Sequence, residues 1–231
     1  MSAVRPGAPL VDTVGLRKQM GGRWVLRHVT LAVGPGEAVA ISGRNGSGKS
    51  TLLRILAGLR RPDGGQLRLF GIDPRQDGVA VRRRIGVVGH EPFLYGGLSV
   101  EENLRVFSAL HGADAAAVRR WLRESGLYPR RDDLVRDLSR GWQQRTALVR
   151  AMVHQPTLLL LDEPFTGLDE EGSAWLRAAL RAHRGRGGGV VLTTHRPDEV
   201  EGVCEAFARL EAGRLVRLGE DRTDEGPAEE A

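Results

Sequence analysis

Cysteine is almost missing from this chain: Cys204 stands alone among 231 residues. That excludes an internal disulfide framework and suits a reducing compartment. Long apolar runs are missing too. A membrane-spanning helix needs roughly 18 apolar residues in a row, and the most compact run here is Leu158–Leu161. The opening residues, MSAVRPGAPL, lack the apolar core of a secretory signal, so none is expected there. No internal repeat is visible. Lysine is scarce as well, with Lys18 and Lys49 set against 32 arginines. What remains is 41% hydrophobic and 27% charged, the balance of an ordinary globular protein, and the length allows one large domain with a lobe inserted into it.

Acidic residues are unevenly placed. The last thirteen residues, 219–231, hold six acidic side chains and one arginine, and the composition predicts a disordered tail. Without them residues 1–218 carry a net charge of +10 rather than the +5 of the whole chain. Such a body suits an anionic partner, either nucleic acid or a membrane surface, or it is simply a surface solvated by arginine. Residues 1–9 are rich in proline and glycine and are expected to fray.

One of the two lysines sits in Gly43-Arg44-Asn45-Gly46-Ser47-Gly48-Lys49-Ser50-Thr51, which fits the phosphate-loop pattern G-x-x-x-x-G-K-[ST]. Glu37–Ser42 ahead of it reads as a short buried strand. Ser50–Leu59 behind it carries leucines and an isoleucine at helical spacing. Strand, loop and helix in that order are the context in which the pattern has physical meaning. The glycines let successive N–H groups approach a phosphate, and the helix adds its positive end. Lys49 brings a mobile charge to the β- and γ-phosphates, and the Ser50 hydroxyl is suited to Mg²⁺.

The remaining chain reads as strands at Leu10–Leu16, Trp24–Val33, Gln66–Phe70, Ile85–Gly89, Thr157–Leu161 and Gly189–Thr194. A helical turn is expected over Val79–Arg84, a helix over Glu170–His183, and a closing hairpin in 205–218 around Ala212-Gly213. Between about 92 and 153 the pattern is helical: Val100–Leu110, Ala113–Ser125 and Ser139–Val153. Ser99 with Glu102 forms a capping box for the first of these. The expected fold is α/β, with a helical subdomain at about 92–153 inserted into a domain spanning 10–218.

Leu158–Leu161 ends in Asp162-Glu163-Pro164. A buried parallel strand delivers such carboxylates to the crevice at the sheet's C-terminal edge. Asp162 is then placed to hold Mg²⁺, and Glu163 to orient or deprotonate an attacking water.

With these motifs in place the sequence resembles the ATP-binding cassette (ABC) ATPases from about Leu10 to Leu218. Leu138-Ser139-Arg140-Gly141-Trp142-Gln143-Gln144-Arg145 is similar to their LSGGQ signature, Gly167-Leu168-Asp169 to their D-loop, and His195 to their switch histidine. The resemblance implies a P-loop NTPase with a mostly parallel RecA-like sheet, an N-terminal antiparallel β subdomain and an inserted helical subdomain. It implies ATP and Mg²⁺ as cofactors, and hydrolysis carried by Glu163 and His195. It also implies that Ser139 and Gly141 meet the γ-phosphate held by a second copy, with Asp169 near that interface.

The implied partners are an integral membrane permease and a second copy of the chain at the cytoplasmic face of the cell membrane; no nucleic acid is expected. Four positions depart from the pattern. His90 stands where the family has a glutamine, Arg140 and Trp142 alter the signature, and Met20 replaces the adenine-stacking aromatic, with Trp24 an alternative platform or a core residue. Gly89-His90-Glu91-Pro92 is similar to the same loop in heme exporter ATP-binding subunits of cytochrome c maturation. Phe93, Leu94 and Tyr95 just after it are expected either to receive a coupling helix or to pack under the helical lobe.

Overall fold

The computed structural model describes residues 8–218; the expectations for 219–231 and most of 1–9 fall outside that range. Nine strands form one sheet: β1 (Val11–Met20), β2 (Arg23–Val33), β3 (Ala38–Ser42), β4 (Gly64–Leu69), β5 (Ile85–Val88), β6 (Leu158–Asp162), β7 (Gly189–Thr193), β8 (Ala206–Glu211) and β9 (Arg214–Leu218). Their spatial order is β4-β1-β2-β9-β8-β3-β7-β6-β5. The β8-β3-β7-β6-β5 stretch is parallel throughout, whereas β4-β1-β2 and the β8–β9 hairpin are antiparallel.

That hairpin turns on Ala212 and Gly213, both at positive φ, as a two-residue type I′ connection requires. Its second strand meets β2 in parallel at a single pair, His28 with Arg214, and Gly213 O accepts from the backbone N–H of Arg27 at 2.7 Å. The antiparallel and parallel parts are thereby one sheet.

The central strands are buried on both faces, so they read as unbroken apolar runs. Along β6, Leu159 and Leu161 face one core while Leu158 and Leu160 face the other; β7 and β3 alternate in the same way. On the second face lie the antiparallel strands, α1 (Lys49–Leu56) and α2 (Gly78–Arg82). On the first lie α3 (Val100–Leu110), α4 (Ala115–Glu124), α5 (Arg140–Met152) and α6 (Glu170–Gly185).

Three of these helices, α3 to α5, fill the stretch between β5 and β6. The capping box at its start is formed: Glu102 donates its N–H to Ser99 Oγ at 3.2 Å, and Ser99 donates its N–H to Glu102 Oε2 at 2.8 Å. Buried Asn103 fastens the loop in front of α3, accepting from the Tyr95 N–H and donating to the carbonyls of Tyr95 and Ser99.

Candidate functional site

Adjacent strands β3, β7, β6 and β5 all run the same way, so their C-terminal ends form one edge. The register aligns Ile41 with Thr193, Thr193 with Asp162, and Leu161 with Val88. From that edge emerge the phosphate loop, His195, the Asp162–Glu163 pair and His90, and the four loops enclose a cleft of about 950 Å³. Asn45, Gly46, Ser47, Gly48, Lys49, Ser50, Thr51, His90, Asp162, Glu163 and His195 line it. Gly43 and Arg44 form the approach to the loop.

Gly48 shows why the loop needs glycine. Its φ is 106°, and a Cβ there would lie 2.9 Å from Val25 Cγ1. Lys49 opens α1 and is only 7% exposed. Its Nζ donates to Gly43 O at 2.6 Å and lies 3.4 Å from His195 Nε2. The same imidazole nitrogen lies 3.0 Å from Glu163 Oε1. One ring nitrogen cannot accept from the ammonium and donate to the carboxylate together. Among the described residues buried Glu163 Oε1 has no hydrogen-bond partner, and its contact with the imidazole is an ion pair only when the ring is protonated. A buried, unpartnered carboxylate oxygen is a strong acceptor awaiting a donor. Ser47 Oγ is likewise buried and unpartnered.

Glu163 adopts a left-handed backbone, φ 50°, which is uncommon for a non-glycine residue and needs support from its surroundings. Thr193, a residue that sequence reasoning had passed over, supplies part of it. The Thr193 hydroxyl accepts the Glu163 N–H at 3.0 Å and donates to Asp162 Oδ1 at 2.6 Å. The available signal was a polar residue ending an otherwise apolar strand, GVVLT.

Ser139, Gly141 and Asp169 are not part of the cleft. They line a separate concavity of about 180 Å³ with Trp142, Arg145, Gly167 and Leu168. Ser139 occupies the N-cap position of α5, as expected, but its side chain makes no capping bond and is exposed. A Cβ on Gly141 would stand 2.5 Å from Gly167 O, so the signature turn and the D-loop touch through backbone that only glycine permits.

Arg145 is the other unforeseen residue. Buried at 3% exposure, it donates to Asp169 Oδ1 at 2.7 Å and to Ser125 O at 3.2 Å. Asp169 caps α6 by accepting from the Gly172 N–H, and that bond, followed by Arg145, holds its carboxyl below the usual range. Two guanidinium groups lie over the Trp142 ring, Arg130 at 5.2 Å and Arg145 at 4.7 Å. The tryptophan that departs from the signature pattern is thus held by these arginines.

Three further expectations resolve here. Met20 and Val25 line the cleft; Trp24 is 45% exposed, so it is not a core residue. Adjacent strand residues face opposite sides, and Val25 takes the cleft side. Leu94 packs on the core under the helical region, whereas Phe93 and Tyr95 are 51% and 53% exposed, Tyr95 stacking on Phe107. His90 and Glu91 both line the cleft, and both are exposed.

Residues 26–166 match the family model described as ABC transporter. The chain belongs to the ABC transporter family. It is an ATP-binding subunit carrying that family's ATPase domain. The cytochrome c biogenesis ATP-binding export protein CcmA of Methylococcus capsulatus is 40% identical over 195 residues, covering 84% of this chain and 94% of that protein. The Nod factor export ATP-binding protein I of Paraburkholderia xenovorans is 38% identical over 209 residues, covering 88% of this chain and 68% of that protein. Among solved structures, an ATP-binding subunit of an ABC transporter superposes with a TM-score of 0.84 at 31% identity, covering 90% of each chain. A dimeric ATP-binding cassette in a post-hydrolysis state with ADP and phosphate superposes at 0.81 with 27% identity, covering 89% of this chain and 96% of that one.

Proposed function

We propose that two copies of this ABC subunit close on two Mg²⁺·ATP, each nucleotide lying between the phosphate loop of one copy and Ser139 and Gly141 of the other. The observation that carries this reading is the separation of the two surfaces. Lys49, Asp162, Glu163 and His195 share one cleft, while Ser139 and Gly141 line another. The exposed Ser139 hydroxyl and the N-terminus of α5 are free to meet an anion that this chain does not itself hold.

Asp162 and the Ser50 hydroxyl present hard oxygen donors to the same cleft, which fits Mg²⁺; His90 is a poor ligand for it. Asp162 and Ser50 would hold the Mg²⁺, which would supply positive charge to offset that developing on the phosphates. Lys49 binds those phosphates, and the buried Oε1 of Glu163 takes the proton of the attacking water. His195 stands between Lys49 and Glu163, within reach of the γ-phosphate. Once the γ-phosphate leaves, the bridge between copies is lost and the dimer reopens, which is the differential affinity a transport cycle needs.

The partner is an integral membrane permease, with this chain peripheral at the cytoplasmic face. Among the described residues no helix is long and apolar enough to cross a membrane. Heme export for cytochrome c biogenesis is the cargo reading we favour, supported by the CcmA relative spanned almost end to end and by Gly89-His90. Deleting the gene tests it. Loss of heme-stained c-type cytochromes is expected, and their persistence beside loss of another exported compound would overturn the heme reading. Co-purification with a soluble scaffold in place of a membrane protein would overturn the transporter reading.

A further inference from the structure

We propose that Thr193 is a positioning residue for both carboxylates of the cleft, one hydroxyl holding the carboxylate of Asp162 and the backbone that aims Glu163. The proposal rests on the reading of Asp162 as metal ligand and Glu163 as base.

Thr193 is wholly buried at the end of β7, between Ile41 on one side and Asp162 on the other. A threonine hydroxyl has one proton to give and lone pairs to receive, and both capacities are used here. The proton goes to Asp162 Oδ1 at 2.6 Å, the short distance of a charge-assisted bond. That ties one oxygen of the carboxylate to β7, and Asp162 lines the cleft. A lone pair receives the Glu163 N–H at 3.0 Å, at the residue whose φ of 50° needs an external hold.

Asp162 and Glu163 are neighbours in sequence, yet the left-handed turn between them sends their side chains to different tasks. The Thr193 hydroxyl bonds to both residues. A metal at Asp162 and a base at Glu163 are therefore registered to each other through β7, whose next residues include His195. Valine at 193 would keep the volume and the strand while removing both bonds.

The test measures ATP binding by equilibrium dialysis on the full chain, first in EDTA and then across a Mg²⁺ titration, alongside turnover and melting temperature. In Thr193→Val, binding in EDTA is expected to stay at the wild-type level. The Mg²⁺ midpoint should move upward about tenfold or more, as loss of an outer-shell partner does, and kcat should fall with it. Thr193→Ser keeps the hydroxyl and should restore both. If Thr193→Val does not fold, Thr193→Cys, with its weak donor, is expected to show the same Mg²⁺ shift.

A wild-type Mg²⁺ midpoint in the folded Val or Cys variant would overturn the proposal, and so would a Ser variant as impaired as Val. Asp162→Asn separates the two readings. If it leaves the midpoint unmoved, the metal-ligand assignment falls. If it shifts the midpoint while Thr193→Val does not, only the role of Thr193 falls.

Discussion

The cleft at the strand ends is held mainly by backbone, while the concavity beside it is held mainly by side chains. Around Lys49 and Asp162 the shape comes from parallel ladders and from glycine conformations, with Thr193 the main side-chain tie. Around Ser139 and Asp169 it comes from Arg145, which reaches from α5 to Ser125 O and to the cap of α6, and from the contact of Trp142 with two arginines. Backbone-built geometry tolerates exchange of surrounding side chains. Side-chain-built geometry can be lost through one substitution, and it differs from the usual signature here without leaving polar groups unmatched at Arg145.

The largest effect expected from breaking this arrangement is catalytic. Glu163→Gln should lower ATP hydrolysis by at least about 100-fold, the scale of a lost general base, while ATP binding persists. A phosphate-release assay beside a binding isotherm decides it, and near-wild-type turnover would remove Glu163 from the role.

The contrast between the two surfaces sharpens with a pair of variants. Lys49→Ala removes the charged contact proposed for the phosphates and should weaken ATP binding about 10- to 100-fold, from the roughly 1.5–3 kcal/mol of such a bond. Gly141→Ala forces a Cβ against Gly167 O, so it should abolish hydrolysis while each copy still binds ATP. If Gly141→Ala weakened binding as much as Lys49→Ala, the two surfaces would not be separate.

Stability should follow the side chains. Arg145→Met keeps the apolar stem but removes the bonds to Asp169 and to Ser125 O, at a cost of about 2 kcal/mol in urea unfolding. Asp169 is largely solvent-exposed, which keeps this below the loss from breaking a fully buried pair.

The smallest effect concerns pH. Burial, followed by nearby His111 and Arg150, lowers the pKa of His154 from 6.5 to about 4. A histidine held neutral when folded but free to charge when unfolded supports the fold above pH 6.5, and that support is lost as pH falls toward 4. Allowing for its partial exposure, about 1–2 kcal/mol is expected to disappear across that window, and His154→Gln should flatten the slope.

Most of what lies along the backbone was legible in the sequence. The phosphate loop declares itself because its glycines and lysine are contiguous, and Leu158–Asp162 because a strand buried on both faces must be apolar throughout. The capping box and the Ala212-Gly213 hairpin are equally local, with spacing set by one turn of chain. Contacts that join distant stretches left no such trace. Nothing in the spacing links Arg145 to Asp169 or Thr193 to Asp162, since partner choice there follows from crossovers that bring β7 between β3 and β6. The exposure of Trp24, which rules out the core alternative, was not legible for a related reason. Alternation says that Trp24 and Val25 face opposite ways, but only the folded sheet says which side holds the cleft.

The most direct test of the two-copy site is the mass of Glu163→Gln by light scattering during size-exclusion chromatography, with and without Mg²⁺·ATP. The account predicts a monomer without nucleotide and a dimer with it, the dimer disappearing when Ser139→Arg is added. A Glu163→Gln protein that binds ATP and stays monomeric at saturation would contradict it.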